Sequence, residues 1–138
     1  MAQDAHDAHD AHALQEAARL RLAVLAADGV VADGAPAHRV ARDAELLGGL
    51  LAAADRRRAG GDAALDVGAD DIGAALSLFG GLRHQLDRLE SQVVMEARRR
   101  GMDWRQIARH QGLNSSQAAS QRHQRLTTRL EEIRQGVR

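Results

Sequence analysis

Apolar residues recur in steps of three and four along most of this chain, which is the spacing of one face of an α-helix. Charged and small residues fill the positions between them, and Gly- and Asp-rich stretches separate the periodic segments. The pattern predicts helices over residues 12–27, 37–58 and 70–100, a short helix between Asp103 and Gly112, and a long last helix over 115–135.

Two glycine pairs interrupt these helices. Each glycine of Gly48–Gly49 costs about 1 kcal/mol relative to alanine, so we expect a kink or a close helix contact there. At Gly80–Gly81 the apolar seam slips, and we expect a kink or break, so that residues 82–100 would form the first helix of a C-terminal unit. The seam consists of Ile72, Leu76, Phe79, Leu82, Leu86, Leu89 and Val93.

Residues 98–126 carry the most specific local pattern. Asp103 is placed to cap a helix, and Gln106 three residues later completes a capping box. Gly112 ends that helix where a left-handed backbone is needed, and Asn114 is expected to cap the next helix. Two helices joined in this way predict a helix-turn-helix unit.

Small residues stand where the two helices of this unit would cross. Ala108 precedes the turn glycine by four residues, and Ala118 follows it by six. Trp104 is expected in the core, where it would hold the first helix of the unit in place.

Composition supports an all-α fold. One Trp, one Phe and no Tyr leave Leu, Val, Ile and Ala to form the core, and these residues with a single proline suit packed helices. The chain has no cysteine, which fits a reducing compartment. Its acidic start is unlike a signal peptide, and no apolar run reaches the roughly 18 residues needed to span a bilayer, so we expect a cytoplasmic protein.

A net charge of zero conceals a segregation of charge. Residues 98–138 carry ten arginines against three acids, a balance of +7, whereas residues 1–97 carry nine arginines against sixteen acids, a balance of −7. The use of arginine alone, without lysine, is interpreted as GC-rich coding, with selection for guanidinium chemistry as the alternative. The basic segment that bears the helix-turn-helix pattern nevertheless favours nucleic-acid binding.

The same segment resembles the helix-turn-helix unit of small actinobacterial DNA-binding proteins, and is similar to the promoter-reading module of sigma factors. The chain matches that pattern at Gly101, Trp104, Ile107, Ala108, Gly112, Gln117, Ala118, Ala119, Arg122, Arg125 and Leu126. It departs at Asn114, where serine is more usual, and at Ser116, where a basic residue is frequent. The resemblance implies a regulator of transcription located at the nucleoid.

In such a unit the N-terminal turns of the second helix enter the major groove. The positions expected to face the groove are Ser115, Ser116, Gln117, Ala119, Ser120, Gln121 and Gln124. Phosphate contacts are expected from Arg98, Arg99, Arg100, Arg105, Arg109 and Arg125.

Arg122 stands apart from these arginines. It lies on the stripe between Ala118 and Leu126, where an apolar residue is usual. We expect its stem to pack inward while its guanidinium pairs with an acid such as Glu90 or Glu96, and a contact with DNA is the alternative.

The pattern divides the chain into three parts. Residues 1–12 form a flexible Asp/His-rich tail, and residues 13–81 form a helical region for dimerisation or partner binding. Residues 82–138 form the DNA-binding region. The seam of the long helix and the stripe Leu126, Leu130, Ile133 and Val137 both need partners, which either the chain's own N-terminal helices or a second subunit would supply. A homodimer is expected, because two-fold proteins read paired half-sites. The alternative function is a protein-interaction module that binds a sigma factor, RNA polymerase or another regulator.

Three Asp-Ala-His repeats occupy residues 4–12 and are interpreted as a solvated, partly disordered segment. Weak capture of Zn or Ni and competition with DNA for the basic face are the alternatives. No phosphate-cradling glycine loop, Cys/His pairing or nucleophile motif is present, so neither an enzyme, a cofactor nor a dedicated metal site is predicted.

Overall fold

A computed structural model of the chain describes residues 1–60 and 66–136. Helices account for 81% of the structure, and the described residues contain no β-strand, which confirms the all-α class. Val137 of the predicted stripe lies outside the described residues, and so do residues 61–65, which belong to one of the Gly- and Asp-rich stretches between the predicted helices. The helices are α1 (Ala2–Ala26), α2 (Pro36–Arg58), α3 (Ala69–Arg99), α4 (Trp104–Gln111) and α5 (Ser116–Arg134).

The chain separates into two units, Met1–Ala32 and Asp33–Arg138. The position between residues 81 and 82, where the sequence predicts a domain boundary, lies inside the continuous helix α3. None of the helices in the described part of the chain is long and apolar enough to cross a membrane.

The first unit consists of α1 and the residues that follow it. The helix begins at Ala2 rather than near residue 12, so the Asp-Ala-His repeats are helical instead of disordered. Alanine favours the helix, and pairs one turn apart support it, with His6 Nε2 3.4 Å from Asp10 Oδ2. No residue of α1 is buried, and its large apolar side chains, Leu14, Leu20, Leu22, Val24 and Leu25, lie exposed.

In the second unit α2 packs against α3. The contact is apolar, with Leu47 and Leu50 of α2 half-buried opposite Ala75 and Leu78 of α3. Val40 is half-buried too. Leu46 and Leu51 are exposed, because α3 covers only one side of α2.

Both glycine pairs lie within uninterrupted helices, which corrects the expected kinks. A Cβ atom added at Gly48, Gly49, Gly80 or Gly81 would meet nothing within 4 Å, so no close helix contact accounts for these glycines either. The cost of about 1 kcal/mol per glycine is too small to break a helix that gains tertiary packing along its length.

The end of α3, together with α4 and α5, encloses the core. Val94, Ile107, Ala108 and Ala119 form its centre, and each is at most 5% exposed. Leu126, further along α5, is buried as well.

The residues of α3 that pack into this core are not those of the predicted seam. Ser91 and Val94 are buried, whereas Leu86 and Val93, which the periodicity placed inside, are exposed. Periodicity identified α3 as a helix but not the face that packs, because two of the three residues buried on that face, Gln85 and Ser91, are polar and give no apolar signal.

Candidate nucleic-acid interface

α4 begins with the capping box that the sequence predicts. Asp103 Oδ1 accepts a hydrogen bond from the Gln106 backbone N–H at 2.8 Å, and Gln106 Oε1 accepts one from the Asp103 N–H at 2.9 Å. Two backbone donors that lack partners within the helix are thereby satisfied, which fixes where α4 starts.

The turn between α4 and α5 is closed by Gly112. Its φ of 71° lies in the left-handed region, as predicted, where a side chain would be strained. The Leu113 N–H donates to the Ala108 carbonyl at 2.8 Å, and the Gly112 N–H donates to the Arg109 carbonyl at 3.2 Å. Leu113 packs on the core, so the turn is held by both hydrogen bonds and apolar contact.

α5 is capped by Ser115 and not by Asn114. Ser115 Oγ accepts a hydrogen bond from the Ala118 N–H at 3.1 Å, and α5 therefore starts one residue later than an Asn114 cap requires. Asn114 is exposed in the turn. Either side chain has cap chemistry, so the choice depends on where the turn ends.

The start of α5 presents a polar surface. Ser115, Ser116, Gln117, Gln121 and Gln124 are exposed, as a groove-reading face requires, and Ser120 is half-buried.

The sequence places Ala119 on the face of α5 expected to enter the groove, and the structure contradicts this prediction. Ala119 is 1% exposed and lies in the core, so it is the small residue at the helix crossing, while Ala118 is only half-buried. A shift of one position rotates a helical residue by about 100°, which is enough to exchange an outer for an inner place.

Two of the arginines predicted to contact DNA phosphates lie beside the polar surface at the start of α5. Arg105 and Arg109, one turn apart on α4, line a surface depression of about 440 Å³ together with Ser115 and Ser116. The depression therefore combines two guanidinium groups with the positively polarised start of α5.

A second depression, of about 450 Å³, follows α5 itself. It is lined by Gln121, Gln124 and Arg125, which the sequence predicts as site residues, and by Thr128, Arg129 and Glu132, which the sequence reasoning missed. These additional residues follow Gln121 in steps of three and four along the helix, and that spacing could have identified them.

The three arginines at the end of α3 are engaged within the protein. Arg98 lies over the Trp104 ring, 5.1 Å from its centroid, and donates to the Met102 carbonyl at 3.0 Å. Arg99 and Arg100 pair with Glu96 at 2.6 and 2.8 Å. The hydrogen bond from Arg100, with the charge of Arg99, lowers the pKa of Glu96, so this carboxylate stays charged and offsets part of the basic run.

Arg122 has the structural partner expected for it. Its Nε and Nη2 donate to Glu90 Oε2 and Oε1, each at 2.7 Å, across 32 residues of sequence. The hydrogen bonds from Arg122 hold the pKa of Glu90 below its usual value, and they raise the pKa of Arg122. Arg129 Nε lies 3.3 Å from Asp87 Oδ2, so two ion pairs join α5 to α3.

Trp104 occupies the core position expected for it. The ring is half-buried against the core cluster, and its centroid lies 5.8 Å from that of His123. It is placed to position α4 against α5.

Among the residues that the structure describes, no group of three or more His, Asp or Glu side chains comes together as a metal site. Comparison with known proteins provides no relative for this chain, since no family model, no curated protein and no solved structure matches it.

Proposed function

We propose that this chain is a sequence-specific, double-stranded DNA-binding regulator of transcription, whose α5 enters the major groove with its first turns. The observation that carries the proposal is the exposed row of serine and glutamine side chains at the start of α5. That helix is held by a buried core and two ion pairs, so the row is presented on a rigid element.

The charges beside this row divide into two groups. Arg122 and Arg129 are held by acids of α3. Arg105, Arg109 and Arg125 form no ion pair or side-chain hydrogen bond with the residues described, and all three are exposed. They are the phosphate contacts of the proposal.

The number of phosphate contacts sets the salt dependence. Three arginines on phosphates give a slope of log K against log salt of about −3, and release of the arginines paired with Glu96 would move it toward about −5. A slope near zero contradicts backbone binding.

Base reading is assigned to Gln117 and Gln121. A glutamine amide donates and accepts at once, so it can form a bidentate pair with an adenine edge worth about 1–3 kcal/mol of discrimination. The serines at the start of the helix suit phosphate or base contacts.

The experiment first selects bound fragments from a pool of random duplexes, then compares Gln117→Ala and Gln121→Ala on the selected and a random duplex. We expect a loss of about tenfold or more on the selected duplex only. Gln92→Ala, which removes an exposed glutamine on α3, is the matched control and should leave both affinities unchanged. Equal losses on both duplexes would contradict base reading.

A protein-interaction module is the second candidate. It is favoured by an apolar groove of about 630 Å³ between α2 and α3, lined by Leu46, Leu47, Leu50 and Leu78 among others. In that case no duplex is selected at physiological salt, and a sigma factor, RNA polymerase or another regulator remains bound to the chain after nuclease treatment.

A further inference from the structure

α3 carries an apolar stripe that the second unit leaves open. α2 covers the side with Ala75 and Leu78, and α5 covers the side with Asp87 and Glu90. Between them, large apolar side chains are 41–67% exposed over nearly the whole helix. These are Ile72, Leu76, Phe79, Leu86 and Val93.

The spacing of this stripe is the same in both directions. With half-buried Leu89 included, the steps along the helix are four, three, seven, three and four residues. The midpoint lies between Leu82 and Arg83. Such a stripe matches itself when a second helix is laid against it in the opposite direction.

We propose that α3 pairs with α3 of a second copy of this chain, antiparallel and about a two-fold axis near Leu82 and Arg83. In this register Ile72 faces Val93 of the second copy, and Phe79 faces its Leu86. Each apolar residue then meets another, which is the self-complementarity that a two-fold interface requires. The steps of three and four suit side chains that interlock between two helices.

Charge at the two ends of α3 selects the antiparallel direction. The first turn carries Asp70 and Asp71, and the last turn carries Arg98 and Arg99. Antiparallel pairing brings acids near arginines at both ends and opposes the helix dipoles favourably, whereas parallel pairing places like charges together.

The area is sufficient for a reversible dimer. With about 200 Å² for a fully exposed side chain of this size, the stripe presents roughly 500 Å² of apolar surface per copy. Two copies bury roughly 1,000 Å² from the stripe alone, which reaches the lower end of specific interfaces before flanking residues are counted. An apolar patch of this extent matches the largest patch of a typical monomer, which often has a binding role.

Crosslinking tests both pairing and direction, because the chain has no cysteine of its own. Ile72→Cys mixed with Val93→Cys should form a disulfide-linked dimer on oxidation. Neither variant alone should do so, because identical positions lie about 30 Å apart in the antiparallel register. Ile72→Cys with Gln92→Cys, at an exposed position off the stripe, is the control and should stay unlinked. Self-linking of each variant would indicate parallel pairing and overturn the proposal.

Sedimentation of the full chain without DNA measures the association itself. We expect a monomer–dimer equilibrium in the micromolar range, and Leu76→Glu should raise the dissociation constant by about tenfold or more. Leu76 is 66% exposed, so the helical circular dichroism of this variant should be unchanged. A monomer at every concentration, or an unaltered dimer in Leu76→Glu, would overturn the proposal. Neither result depends on whether the chain binds DNA.

Discussion

The ion pair between Glu90 and Arg122 provides the strongest test of how α5 is held. Its two hydrogen bonds of 2.7 Å join residues that lie on different helices and are 32 positions apart in sequence, so the pair stabilises tertiary structure. We expect Glu90→Gln and Arg122→Gln each to lower the free energy of unfolding. A double-mutant cycle should then give a coupling of about 1 kcal/mol.

The magnitude follows from geometry and exposure. A bidentate arginine–carboxylate pair is stronger than a single contact, but Glu90 is 30% and Arg122 48% exposed, and water screens such charges. The coupling therefore lies near the upper end of the range for surface pairs. Glu131 and Arg134, a more exposed pair at 2.7 Å within α5, form the matched control and should show a smaller coupling, of about 0.3 kcal/mol.

Acid should remove this coupling. Because the pKa of Glu90 is lowered in the folded chain, its stabilising effect is complete above the ordinary value of 4.5 and is lost as pH falls through the lowered pKa. Urea denaturation of the unsubstituted chain, the two single variants and the double variant, near neutral pH and well below pH 4.5, measures both the coupling and its loss in acid. Additive single effects at neutral pH, or a coupling that persists unchanged in acid, would refute the reasoning.

The remaining predictions concern local backbone chemistry, and thermal unfolding measures each of them. Gly80→Ala and Gly81→Ala should each stabilise the chain by about 0.5–1 kcal/mol, because both sites are helical and open, and a lower melting temperature would reveal a contact that needs glycine. Gly112→Ala should cost about 1–2 kcal/mol because its φ is +71°, and an unchanged melting temperature would contradict the strain. Asp103→Ala and Ser115→Ala should each lower the free energy of unfolding by about 1 kcal/mol, because each removes a helix cap. An unchanged melting temperature in both variants would show that packing alone holds the turn.

The sequence by itself determined the features that depend on neighbours within about four residues. The capping box of Asp103 and Gln106 and the left-handed turn at Gly112 are local hydrogen-bonding problems, and both are present as predicted. The all-α class follows from periodicity and composition. That Arg122 pairs with an acid was also accessible, since a charge on an apolar stripe needs a partner, but only the structure chose Glu90 over Glu96.

Only the tertiary structure decided which faces are buried. Val94 rather than Val93 and Ala119 rather than Ala118 enter the core, because burial depends on where another helix lies and not on apolar character alone. The continuity of α3 through its glycines has the same origin, since packing along a long helix outweighs a local propensity of about 1 kcal/mol per residue.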